Sequence, residues 1–273
     1  MTARAVRRPM ATGVLLAVAA VLLAVSVTVA VTIGPADLAP LDVWRSVADH
    51  LGALGGSGPA EPDLVYAGWE STLSADGAGD RATLTDLGVA TYVSPSACKD
   101  PAYQPARLTF DGVFDEITEI AGVLGVPAAA EALVAEQRAA LADLAPDDRG
   151  LTALWYYSGT DIPYVGAGIG APQMIMDAVG LTNIAAGVTD TWASFSWEQV
   201  AADDPDVIVL VDAAWNSAEA KRELLATNPA TANLTAVLNE RYLVVPFAAT
   251  EAGVRNVPAA VDLAGQLADL DLG

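Results

Sequence analysis

Asp204-Pro-Asp-Val-Ile-Val-Leu-Val211 is the stretch on which the fold turns. Its last five residues are apolar and mostly β-branched, and a Pro-Asp pair separates them from a helix-patterned segment. A short apolar run bounded by such punctuation reads as a buried strand. Working outward, helical spacing covers 197–202 before it and 219–227 and 231–238 after it. A second strand follows at 242–245 and a closing helix at 257–270. Upstream lie a strand at 151–157 and a helix at 172–179. Strands alternating with helices imply parallel βαβ units.

The same punctuation occurs once more. Glu61-Pro-Asp-Leu-Val65 opens a strand at 63–67, followed by a helix at 82–87 and a strand at 90–93. Between the two patterned regions, Phe114, Ile117, Ile120, Ala121 and Leu124 share one helical face over 114–124. After Gly125-Val-Pro127 a longer helix runs over 128–144. Pro127 suits its first turn and Ala145-Pro146 ends it. The expectation is α/β, with a partial first βα lobe at 61–111, a helical connector at 112–149 and a second lobe at 150–273.

The chain has 273 residues with 13 Lys+Arg against 34 Asp+Glu, a net charge of −21. Arg4, Arg7 and Arg8 are the basic residues of the first 36 positions, which hold no acid. The rest is therefore more acidic still and repels phosphate backbones, so no nucleic acid is an expected partner. At 53% hydrophobic and 17% charged, the chain can bury a sizeable core. One cysteine, Cys98, rules out an internal disulfide, and one histidine, His50, rules out a multi-His metal site. Neither a phosphate-binding G-x-x-x-x-G-K-[ST] nor a G-x-S-x-G nucleophile turn occurs. No cofactor, resident metal or catalytic residue is expected, and the chain is read as a non-enzyme.

Positions 10 to 34 carry no charge and are dominated by Ala, Val and Leu. As a helix, residues 11–33 would span roughly 35 Å, enough for a hydrocarbon core of about 30 Å. The arginine flank places the amino end in the cytoplasm. Residues 1–34 are thus expected to be a single transmembrane anchor, 35–60 a linker, and the bulk of the chain extracytoplasmic. A cleaved signal peptide competes with this. Its apolar region should be only about 7–15 residues and end at an A-x-A-like site.

Candidate binding residues cluster just past strands, where open α/β sheets form their clefts. Trp69 follows the strand at 63–67, Tyr157 ends the strand at 151–157, and Trp215 follows the strand at 207–211. Tyr164 and Trp192 are read as loop residues, whereas Trp155 inside its strand is read as core. Together the former suggest an aromatic stacking cleft. Gly166-Ala-Gly-Ile-Gly-Ala-Pro172 departs from the dinucleotide fingerprint at its last glycine and is read as a flexible loop by that cleft. Glu198 starts a helix, where a carboxylate complements the dipole.

Pro62-Asp-Leu-Val65, the long mid-chain helix, Gly180-Leu-Thr-Asn183, Ser196-Trp-Glu-Gln-Val200, Asp204-Pro-Asp-Val-Ile-Val209 and Ala252-Gly-Val-Arg255 occur in that order. In this they resemble class III periplasmic substrate-binding proteins of ABC importers, the iron-siderophore, haem and cobalamin type. The resemblance covers about residues 61–273. It implies two Rossmann-like lobes joined by a long helix, a small-molecule ligand, and ABC permease and ATPase subunits as partners. It further implies Trp69, Trp192 and Arg255 around the ligand, joining Tyr157, Tyr164 and Trp215 from the strand-end reading, and Glu198 docking onto the permease. Ser96-Ala-Cys-Lys-Asp-Pro101 and Leu108-Thr-Phe-Asp-Gly112 are similar to members assigned to coenzyme F420-precursor uptake. The family's opening strands and first docking carboxylate are not matched, since Gly55 stands at the carboxylate's place. Residues 10–51 instead resemble the first membrane helix of the same system's permease, as if a permease start were joined to a truncated binding protein. An enzyme on a two-lobed α/β scaffold and a non-functional fusion remnant are the alternatives.

Overall fold

The computed structural model describes residues 62–100 and 102–270. The expected anchor at 1–34 and linker at 35–60 lie outside the described residues. Among the described residues no helix is long and apolar enough to cross a membrane.

Two sheets carry the fold. The small one pairs β1 (Leu64–Ala67) with β2 (Ala90–Val93) in parallel, joined by helix α1 (Arg81–Asp86). Asp80 caps α1, its carboxylate accepting from Thr83 N at 3.0 Å. Two helices follow. In α2 (Phe110–Val123) the Thr109 hydroxyl caps the first turn, and α3 (Pro127–Ala142) begins on proline. The two helices pack on each other, and Arg138 of α3 lies 4.7 Å over the Phe114 ring.

The large sheet is built from β3 (Thr152–Ser158), β4 (Tyr164–Gly166), β5 (Thr182–Asn183), β6 (Trp192–Ser194), β7 (Val207–Asp212) and β8 (Tyr242–Pro246). The strand order is β6-β4-β3-β7-β8, with β5 also on β3. The helices between are α4 (Ala171–Val179), α5 (Trp197–Asp203), α6 (Ala218–Thr227) and α7 (Thr235–Leu238), and α8 (Asn256–Ala268) closes the chain.

Period-two alternation sorts the strands onto two core layers. Ala153, Trp155, Val207, Val209, Val211, Leu243 and Val245 face one layer with α4 and α8. Leu154, Tyr156, Ile208 and Leu210 face the other with α5, α6 and α7. A strand with helices on both faces must be apolar at every position, which is why 207–211 carries no polar residue. Each fully buried aliphatic side chain here contributes about 1.5–3 kcal/mol.

The Pro-Asp punctuation has a physical use at its second occurrence. The Asp206 carboxylate accepts from Thr152 N and Thr152 Oγ1, both at 2.8 Å, and ties the start of β7 to that of β3. At the first occurrence the strand start is held by backbone instead, with Ala90 N donating to Asp63 O at 2.9 Å.

Two expectations are corrected. The large sheet is mixed, because β4 runs antiparallel to β3 and β6 antiparallel to β4. Tyr164 and Trp192 are therefore strand residues, not loop residues. Segment 166–172 is also not a flexible loop. Ala167, Gly168 and Ile169 donate their N–H groups to the carbonyls of Thr191, Val188 and Asp190. A Cβ on Gly168 would stand 2.2 Å from Ala186 O, so its glycine permits close backbone packing. Three of the segment's N–H groups are thus committed to backbone pairing.

Candidate ligand-binding cleft

Gly68, Trp69, Ser94, Ser96 and Ala97, just past the ends of β1 and β2, face Thr191, Trp192 and Thr250–Ala252 of the larger half across a cavity of about 150 Å³. A second cavity of about 280 Å³ adjoins it, lined by Trp69, Lys99, Tyr157, Tyr164, Trp192, Phe247 and Glu251. Trp69, Thr191, Trp192 and Glu251 line both, so the two form one cleft.

Its wall is an aromatic cluster centred on Tyr157. The Tyr157 ring lies 4.9 Å from Trp192, 5.8 Å from Trp215, 5.9 Å from Phe247 and 5.9 Å from Tyr164. Tyr164 stacks on Trp192 at 6.3 Å and 18°. These rings come together because β3 ends at the cluster, while β4 and β6 pair Gly166 with Trp192 and Tyr164 with Ser194. Alternation sends Tyr156 the other way, into the opposite core layer, where it packs edge-on against Trp197.

Of the expected ligand residues, Trp69, Tyr157, Tyr164 and Trp192 meet on this cleft. Trp215 joins the cluster through Tyr157 and Phe247 but is 61% exposed and lines neither cavity. Arg255 is exposed at the start of α8 and also lines neither cavity. Glu198 lies away from the cleft, exposed in the first turn of α5. Its own N–H and Ser196 Oγ hydrogen-bond the carboxylate and hold it below the usual carboxylate range.

Three cleft residues escaped the sequence reading. Phe247 follows β8 directly, so the rule that found Trp69 and Trp215 could have found it. Lys99 pairs with Asp190 at 2.7 Å across the cleft mouth, a contact between distant segments that no local pattern announces. Glu251 is the third. Burial pushes its carboxyl up to about 7, and among the described residues no donor or cation is bonded to it. Burial likewise raises the hydroxyls of Tyr157 and Tyr164, helped by the nearby Glu251 charge.

A family model described as periplasmic binding protein matches residues 60–249. The chain belongs to that family. Among solved structures, it is similar to a periplasmic binding protein from Veillonella parvula, 25% identical, with a TM-score of 0.67 over 77% of this chain and 72% of that one. It shares its fold with an ABC-type Fe3+-hydroxamate transport system protein from Saccharomonospora viridis, 23% identical, with a TM-score of 0.64 over 76% and 69%. A periplasmic heme-binding protein from Roseiflexus sp. is 25% identical, with a TM-score of 0.60 over 76% of each chain. Among curated proteins no relative matches.

Proposed function

We propose that this chain is the substrate-binding component of an ABC importer, working outside the cytoplasmic membrane. The observation that carries the reading is the aromatic cleft between the small sheet and the large one. Both halves contribute to it through segments past their strand ends, where a ligand drawn between them would be held from two sides. Residues 61–111 and 150–273 act as the two lobes in this reading, with 112–149 as the connector between them. The ligand belongs to the metal-chelate or cofactor-like class, siderophore, haem, corrinoid or F420 precursor, and Trp69, Tyr157, Tyr164 and Trp192 stack on it. Trp215 and Arg255 stand on the outer side of the site, available to a ligand larger than the cavity.

Glu198 is the permease contact. It is exposed, held ionised by Ser196 and its own N–H, and set apart from the cleft, so it can meet an arginine on the permease while ligand is bound. The anchor at 11–33 would keep the binding unit close to its permease.

Tryptophan fluorescence tests the reading directly, since Trp69 and Trp192 line the cleft. Titration with a ferric hydroxamate and with haem should give saturable quenching with at least one of them. A flat response to both, from a chain whose thermal unfolding is cooperative, would remove these classes.

A further inference from the structure

The cleft offers an anion no unpaired cation. Among the described residues its one cationic lining group is Lys99, already paired with Asp190 at 2.7 Å, and Arg255 lies outside both cavities. What its second cavity offers is five aromatic rings, Trp69, Tyr157, Tyr164, Trp192 and Phe247, around a single unbonded carboxylate, Glu251. Ring faces are negative and attract cations, most strongly where water is excluded. A half-buried carboxylate without a partner is costly until a cation or donor reaches it. The net charge of −21 raises the local concentration of cations around the chain.

We propose that the cleft takes a ligand presenting a compact organic cation, a quaternary or protonated amine, seated between Glu251 and the faces of Trp192, Tyr157 and Tyr164. This rests on the reading of the cleft as the ligand site and, within the class proposed above, favours members that carry an amine over haem, whose ionised side groups are carboxylates. The adjoining cavities, about 150 and 280 Å³, are each smaller than the roughly 300–1,000 Å³ typical of small-molecule sites and suit a compact group. Glu251 supplies the charge and the rings supply the fit to a rounded, weakly hydrated head.

A second carboxyl beside the cleft, that of Glu116, is also raised by burial and lies against Ser94 and Ser96 of the lining, so Glu251→Gln is what separates its titration from that of Glu251. Burial raises the hydroxyls of Tyr66, Tyr157 and Tyr164 above their ordinary value, so they stay neutral. Partial burial pushes Asp190 up, but hydrogen bonds from Lys99 and Thr191 outweigh this and hold it below the carboxylate range.

The test pairs choline with 3,3-dimethyl-1-butanol, its uncharged carbon isostere, followed by calorimetry and tryptophan fluorescence on the full chain. Choline should bind about tenfold more tightly than the isostere at pH 8, the size expected of a desolvated cation on aromatic faces. That preference should shrink as pH falls through about 7, where Glu251 gains its proton. Glu251→Gln should reduce the preference and remove its pH dependence. Tyr157→Phe should keep the preference and Tyr157→Leu should weaken it, since a ring face is what Phe retains. Equal affinity for the two probes, no binding of choline, or a preference unchanged in Glu251→Gln overturns the inference. Haem or ferric hydroxamate serves as the separate arm. Quenching by either without choline binding would sink the cation proposal and leave the transport reading standing.

Discussion

The ring of Tyr157 stands 4.9 Å from that of Trp192, inclined at 59°, although neither strand that carries them pairs with the other. Strand β4 lies between them, and the two side chains meet above it at the cleft. Trp192 is thus both a buried core residue and a wall of the site.

Replacing Trp192 by Leu should therefore act twice. Stacking on a ligand contributes about 0.5–1.5 kcal/mol beyond area burial, so affinity should fall roughly two- to twelvefold. Stability should fall as well, because the ring packs against Tyr157 and Tyr164. Trp69→Leu, only partly buried, should lose affinity with a smaller change in unfolding temperature. Fluorescence titration and thermal unfolding on the same preparations separate the two effects. An unchanged affinity in both variants would place the ligand elsewhere.

Glu198→Lys should leave ligand affinity unaltered and weaken the complex with the permease, because it sets like charge against an arginine. Binding to permease reconstituted in nanodiscs is the measurement. Loss of ligand binding with docking intact would reverse the assigned roles.

Glu251 predicts a pH profile of stability. Its carboxyl is raised from 4.5 to about 7 in the folded chain. The unfolded chain therefore releases this proton first as pH rises. The folded state is favoured by this group below about pH 4.5 and progressively loses that advantage up to about 7. Glu251→Gln should remove this decline and raise the unfolding temperature at pH 8, each kcal/mol recovered being worth about 2–4 °C. Denaturant melts of both forms at pH 4.5 and pH 8 check the sign, and a variant less stable at pH 8 would contradict it.

Gly166→Ala probes the packing behind the site. The added Cβ would fall 2.4 Å from Pro172 Cβ and 3.1 Å from a carbon of Trp155. Neither can retreat, since Pro172 is fixed in the first turn of α4 and Trp155 is fully buried. Overpacking of this kind costs typically about 1–3 kcal/mol, and chemical denaturation should show a loss in that range. A neutral substitution would mean that β4 and α4 can separate without cost.

The alternation of 151–157, 207–211 and 242–245 with helical segments specified the central strands of the large sheet and nearly all of its helices. Two-sided burial leaves an unbroken apolar run that needs no neighbour to be recognised. The Pro-Asp pairs marked the strand starts, and the rule of strand ends located Trp69, Tyr157 and Trp215. The antiparallel β4 and β6 escaped, because strands of three residues with a glycine or serine carry no period to detect. Those two strands alone decide that Tyr164 and Trp192 converge on Tyr157. Glu251 and the Lys99–Asp190 pair are tertiary in the same sense. A carboxylate's environment is set by which distant side chains surround it, and in the sequence Glu251 is one acid among 34. The sequence by itself determined the class of fold and where a cleft would open. Only the packing of remote segments decided which charge that cleft holds, because desolvation and pairing exist only once the chain has closed on itself.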